Sequence, residues 1–230
     1  MIAPADYRIG TTCGAEQPLS VNWHSVGGVR LGSVLSAAAV GYLIGTFPTA
    51  DLVARRVSGG RVDLRASGSG NPGGANAVKL LGRRAGYTVM AGDIAKGALA
   101  CGVGALIAGP TGAHAAGSAS VIGHCLPVWN GFRGGKGVAT SVGQCLATFP
   151  AYFPIDIAVA AAVASNPRLK QRAFVATMMS SVAWVTGALV WWKQGRGNLW
   201  GPKAGPGLAV AATISSATIA AKFITARQPA

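Results

Sequence analysis

Long apolar runs alternate with short, glycine-rich, basic segments along the 230 residues of this chain. A helix that crosses a bilayer needs about 20 mainly apolar residues. Leu31–Ala50 is uncharged and long enough, and Pro110–Phe132 carries no acid or base apart from His114 and His124. Ala85–Gly109 has the length but holds Asp93 and Lys96, and Ala173–Trp192 and Ala204–Ala221 are two further spans. Gly137–Ser165 is ambiguous between one crossing and two: it is long for one span and is interrupted by Pro150, Pro154 and Asp156. Proline breaks helices, and two crossings with a turn near Pro150 distribute the basic residues modestly better than one, so two are favoured. The pattern predicts an all-α integral membrane protein of about seven transmembrane helices. A single helical domain is expected over residues 31–225, preceded by a loosely ordered extension (1–30) and followed by a short tail (226–230).

Composition supports this reading. Half of the residues are hydrophobic, only 11% are charged and the mean hydropathy is +0.41, whereas soluble domains carry about 25% charged residues. The net charge of +14 lies in short loops between apolar runs, which argues against nucleic-acid binding and for positive loops on the cytoplasmic face. Arg55, Arg56, Arg61, Arg65, Lys79, Arg83 and Arg84 face a single acid, Asp63, between the first two spans. That segment is therefore expected inside, with the N-terminus outside. Both glycine-rich segments and the Asn166–Arg172 loop then also face the cytoplasm, while the basic Lys193–Lys203 loop runs against the rule. Residues 1–30 lack the pattern of a cleavable signal peptide. The four cysteines show neither zinc-site nor disulfide spacing.

The candidate chemistry lies in the two glycine-rich segments, Ser67-Gly-Ser-Gly-Asn-Pro-Gly-Gly-Ala-Asn76 and Gly131-Phe-Arg-Gly-Gly-Lys-Gly-Val-Ala-Thr140. Glycine allows close backbone approach and left-handed turns, and successive backbone N–H groups make anion-binding concavities. Gly68–Gly73 matches a dinucleotide-binding fingerprint in letters, but no strand leads into it and a proline sits inside it. Gly131–Gly137 lacks the spacing of a Walker A loop. What remains is a phosphate cradle in which Gly134, Gly135 and Gly137 expose N–H groups and Lys136 supplies charge. Asp93 and Lys96 share a helix face, and ionisable groups inside a span face the protein interior or a cavity. Two readings stand for them: a self-neutralising structural pair, or Lys96 binding an anion while Asp93 holds it. His124 is open between a base, a phosphate donor and a hydrogen-bonded helix histidine.

The two motifs, with Gly123-His-Cys-Leu-Pro-Val-Trp-Asn130 leading into the second, Gly41–Pro48 and Asp93-Ile-Ala-Lys-Gly97, resemble the acyl-phosphate-dependent glycerol-3-phosphate acyltransferases of bacterial membranes, the PlsY family. The resemblance runs from about residue 40 to 170. It implies a multi-span helical fold, no metal or cofactor, and acyl phosphate and glycerol 3-phosphate as substrates at a bilayer. The implied reaction moves a fatty acyl group to the 1-hydroxyl of glycerol 3-phosphate, giving lysophosphatidate and phosphate.

The resemblance implies catalytic roles for Ser69, Asn71, Asn76, Lys136 and Asn166. Ser69, Asn71 and Asn76 would contact substrate and polarise the acyl carbonyl. Substrate binding would fall to Ser67, Gly70, Gly73, Gly74, Lys79, Lys96, His124, Arg133, Gly134, Gly135, Gly137 and Thr140. The chain departs from the family pattern at Ala75 (usually Thr) and at Lys79 (usually Arg), where lysine lacks the bidentate fork. Asn166-Pro-Arg-Leu169 matches the third motif weakly, with Val163 replacing its histidine and Val175 its glutamate. This is the pattern of a divergent member. The alternatives are a catalytically weak or inactive relative that binds phosphorylated lipid precursors or scaffolds partners, and a channel or carrier.

Overall fold

The computed structural model describes residues 30–225. The expectations for an N-terminal extension and a C-terminal tail lie outside these residues. Among the described residues the regular elements are all helices, with no strand: α1 (Leu31–Gly45), α2 (Thr49–Ser58), α3 (Gly74–Leu81), α4 (Arg83–Cys125), α5 (Val138–Thr148), α6 (Phe153–Ala164), α7 (Arg172–Lys193) and α8 (Pro206–Thr225). Among the described residues, four helical stretches are long and apolar enough to cross a bilayer: Leu31–Ser58, Arg83–Asn130, Arg172–Lys193 and Pro206–Thr225.

α4 is two arms. Ala108 and Gly109 leave helical geometry, Gly109 with φ of 58°, and Pro110 removes a backbone donor and starts the second arm. The arms fold back on each other so closely that a Cβ on Gly104 would lie 2.3 Å from the Gly112 carbonyl oxygen. Counting the arms separately, seven helical rods build the bundle, as the apolar pattern predicts. α1 runs beside the second arm, with Gly41 against Ala116 and Gly45 against Ser120. α8 runs along the same arm, where the Ser118 hydroxyl donates to the Ala211 carbonyl at 3.1 Å. α5 stops at Thr148 and α6 starts at Phe153, so the expected turn at Pro150 is present. At 11 and 12 residues these two helices are only about 16–18 Å long at 1.5 Å per residue. α6 lies antiparallel to α7, with Tyr152 against Gly187 and the Ser180 hydroxyl donating to Asp156.

These contacts sort the connections to two ends of the bundle. The α4 break, the Phe149–Tyr152 turn and the segment after α7 share one end, where Asn198 donates to the Thr148 carbonyl at 2.9 Å. The other end holds both glycine-rich segments, the last turn of α8 and the first turn of α7, joined by the Phe174–Phe223 ring contact at 5.7 Å.

The first connecting segment is more ordered than a loop reading expects. α1 ends at Gly45 rather than Ala50, because Pro48 starts a new helix. In α2 the positions Ala50, Ala54 and Ser58 recur every four residues and are buried, while Arg55 and Arg56 face outward. With Leu64, Ala77 and Val89, the two alanines form a small core. That core fixes the first glycine-rich segment on top of the bundle.

Candidate active site

An open cleft of about 350 Å³ lies between the two glycine-rich segments. Its lining comprises Arg65, Ser69, Gly70, Asn71, Phe132, Arg133, Gly134, Lys136, Lys222 and Thr225. Four of these ten residues are cationic and none is acidic. Asp51 partners Arg65, which leaves a local excess of positive charge. A concave, single-sign surface of this kind concentrates anions.

The first wall is shaped by Asn76, which is 2% exposed. Its Nδ2 donates to the Leu64 and Ser67 carbonyls, both at 3.0 Å, and its Oδ1 accepts from the Ser69 N–H at 3.0 Å. A primary amide has two N–H donors, and here both are used. Asn76 therefore holds the Ser67–Gly70 turn and has no donor left for an acyl carbonyl. Gly68 and Gly70 adopt φ of 64° and 67°, which the turn requires. Ser69 and Asn71 reach the cleft, as does Gly70. Ser67 contributes its carbonyl to the turn. Gly73 and Gly74 are buried at the start of α3, and a Cβ on Gly74 would collide with Met90 at 2.2 Å. Lys79 is exposed on α3, away from the cleft lining.

The second wall differs from the cradle that its spacing suggests. The Gly134 N–H donates to the Cys125 carbonyl at 3.2 Å and the Gly135 N–H to the His124 carbonyl at 3.1 Å. Both amides are spent on docking the segment against the end of α4. Glycine is needed there for packing, because a Cβ on Gly134 would lie 2.1 Å from the His124 carbonyl oxygen. Gly137, at φ of 83°, opens α5. The charge comes from side chains: Arg133, and Lys136 with its Nζ 4.1 Å from the centre of the Phe223 ring. Phe132 also lines the cleft and has φ of 62°, a strained state for a bulky residue that tends to mark functional sites.

Arg65 joins the walls. Its guanidinium pairs with Asp51 and its Nε donates to the Arg133 carbonyl at 2.8 Å. Asn130 also reaches toward Asp51, at 3.4 Å. Arg65, Phe132, Lys222 and Thr225 line the cleft although the family resemblance marks none of them for it. Arg65 stands two residues before the first motif, a signal that was available. Lys222 was legible only as a charge on the correct side of the bundle.

Asn166, Thr140, Lys96 and His124, all expected as site residues, stand away from the cleft lining. Asn166 is exposed in the α6–α7 connection, where its Oδ1 accepts from the Arg168 N–H at 3.0 Å. Thr140 is fully buried in α5, with no hydrogen-bond partner for its hydroxyl. Lys96 is buried, donating to Asp93 at 2.8 Å and to the Phe47 carbonyl at 3.1 Å. His124 is buried beside them, its Nδ1 3.5 Å from the same Asp93 oxygen. Lys96 and His124 border a cavity of about 20 Å³ behind the cleft, which shares Arg65 and Gly134 with it. Among the described residues, no group of histidine, cysteine and acidic side chains has the arrangement to hold a metal ion.

Comparison with known proteins converges on one family. The sequence pattern of the glycerol-3-phosphate acyltransferases matches residues 35–226. The glycerol-3-phosphate acyltransferase of Exiguobacterium sibiricum is 43% identical over 120 residues, 52% of this chain and 57% of that protein. The Clostridioides difficile protein of the same name is 41% identical over 137 residues, 55% of this chain and 64% of its own length. The chain thus spans little more than half the length of these curated relatives. Its fold resembles the crystal structure of PlsY (YgiH), an integral membrane glycerol 3-phosphate acyltransferase, in its glycerol 3-phosphate form. The TM-score is 0.67 at 27% identity, covering 84% of this chain and 90% of that one. The lysophosphatidic acid form gives a TM-score of 0.64 at 25% identity, covering 86% and 95%. With the motifs, the helical bundle and these matches in agreement, the chain belongs to the glycerol-3-phosphate acyltransferase family of integral membrane proteins.

Proposed function

We propose that this protein transfers a fatty acyl group from acyl phosphate to the sn-1 hydroxyl of glycerol 3-phosphate at the cytoplasmic face of a bacterial plasma membrane. The observation that carries the reading is the cleft between the two motifs, with Arg65, Arg133, Lys136 and Lys222 around it and no acidic side chain in its lining. Both proposed substrates are phosphorylated, and both must be held together for the reaction to proceed. Confining two reactants in the correct orientation supplies much of the rate enhancement of such a transfer.

The chemistry needs no covalent enzyme intermediate. The glycerol C1 hydroxyl oxygen attacks the acyl carbonyl carbon, the bond from that carbon to the phosphate oxygen breaks, and an ester forms. The departing phosphate takes the hydroxyl proton, so the products are 1-acylglycerol 3-phosphate and inorganic phosphate. No general base lines the cleft, and the reading asks for none. Ser69 and Asn71 stand on the wall opposite Lys136 and supply neutral donors for the carbonyl oxygen as it gains charge. Asn76 supports this wall from behind.

The test is a donor comparison with purified protein in detergent. Acyl phosphate, acyl-CoA and acyl-carrier protein are each offered with glycerol 3-phosphate. Product is expected with acyl phosphate alone, and Lys136→Ala is expected to raise the KM for glycerol 3-phosphate. Absence of transfer from every donor would favour the non-catalytic alternative, for which the exposed Asn166, bonded to Arg168 within its own loop, is the supporting observation. Unchanged kinetics in Lys136→Ala would refute the assignment of the cleft.

A further inference from the structure

Asp93, Lys96 and His124 form a buried group with no place in the chemistry above. They lie on one element, α4, yet Lys96 and His124 reach different parts of the site. Asp93 Oδ1 is the hub, 2.8 Å from Lys96 Nζ and 3.5 Å from His124 Nδ1. Lys96 passes the connection to the α1–α2 turn through the Phe47 carbonyl, four residues before Asp51, which holds Arg65. His124 passes it to the second glycine-rich segment. A Cβ on Gly135 would stand 2.2 Å from His124 Nε2 and 2.9 Å from its Cε1, so the imidazole lies directly against the Gly135 backbone. The Gly135 N–H is bonded to the carbonyl of the same histidine.

We infer that His124 is a positioning residue: anchored by Asp93, its ring is the spacer on which the Gly134–Gly137 segment rests, so that Arg133 and Lys136 are presented to the cleft. It acts through the segment and not by touching substrate. This assignment rests on the reading of the cleft as the anion site. The docking of the segment, however, can be followed without any enzyme assay. Cys125 is fully buried, and its Sγ lies 2.8 Å from a Cβ built on Gly137. The segment covers this thiol. Cys101, 2% exposed in the first arm of α4, is an internal reference for loosening of the whole bundle.

The experiment is timed labelling of the intact protein in detergent with a water-soluble maleimide, read peptide by peptide. His124→Ala should label Cys125 about tenfold faster, the change produced by ~1.4 kcal/mol in a local opening equilibrium, with Cys101 unchanged. Gly135→Ala should do the same from the other side, because its methyl group meets the ring. The double variant should recover, since the methyl group added by Gly135→Ala enters space left by the imidazole. In parallel, the KM for glycerol 3-phosphate should rise in each single variant and fall back in the double variant. The inference is overturned if Cys125 stays protected in both single variants, if Cys101 accelerates in step with it, or if the double variant labels no more slowly than His124→Ala. A protein that recovers Cys125 protection as described but transfers no acyl group would retain the positioning role and lose the proposed reaction. Should His124→Ala fail to fold, Gly135→Ala against the double variant decides the matter.

Discussion

At the scale of single residues, the site depends on side chains whose hydrogen-bonding capacity is already committed. Asn76 makes three bonds that hold one turn, each worth about 1 kcal/mol net when buried. Asn76→Ala is therefore expected to lower stability by about 2–3 kcal/mol. Asn76→Asp should be worse, because a carboxylate would face the Leu64 and Ser67 carbonyls that now accept from the amide. Thermal unfolding in a single detergent would rank the two variants. Asp93 and Lys96 make a second case. Removing one partner of a buried ion pair costs about 3–5 kcal/mol, largely from the charge left behind. Asp93→Asn should thus destabilise strongly, and adding Lys96→Met should return part of the loss. A double variant less stable than Asp93→Asn alone would show that Lys96 owes its place to the Phe47 carbonyl more than to Asp93.

Among the elements, contact between α1 and the second arm of α4 is set by glycines. A Cβ on Gly45 would lie 2.1 Å from the Ser120 carbonyl oxygen, whereas nothing lies within 4 Å of one on Gly32. Gly45→Ala is expected to destabilise by about 1–3 kcal/mol through overpacking, and Gly32→Ala to have little effect, as the same unfolding measurement would show. The apolar pattern revealed most of the rods, because length and hydrophobicity decide what a bilayer accepts. It did not reveal that α1 ends at Gly45, that α2 and α3 are helices, or that the amides of Gly134 and Gly135 are occupied. Those outcomes depend on which backbone each glycine approaches. Glycine spacing looks the same whether it admits a ligand or a neighbouring helix. At Gly134 and Gly135 the neighbour is the end of α4; at Gly68 and Gly70 the demand is the positive φ of the turn itself.

On the scale of the whole molecule, the charge pattern and the packing agree that both motifs share one end of the bundle. The basic segment after α7, awkward for the charge rule, lies at the other end. If the site end is cytoplasmic, a cysteine at Lys170 should react only with reagent on the inner side of a membrane vesicle, and one at Arg196 only with reagent outside. A Cys13→Ser background removes the thiol outside the described residues. Labelling of both positions from one side would contradict the seven-rod path. The location of the cleft between the loops was foreseeable; the share taken by α8 was not, since Lys222 and Thr225 carry no local motif and act only through the fold.

That share has a temporal side. The first glycine-rich segment leaves the ribosome long before α8 is made. Until α8 inserts and brings Phe223 beneath Lys136, the nascent chain has two walls and no third side to hold an anion between them. If the proposed reaction takes place in this cleft, function comes only with completion of the bundle, and fragments cut ahead of α8 should be inert even when their motifs are intact.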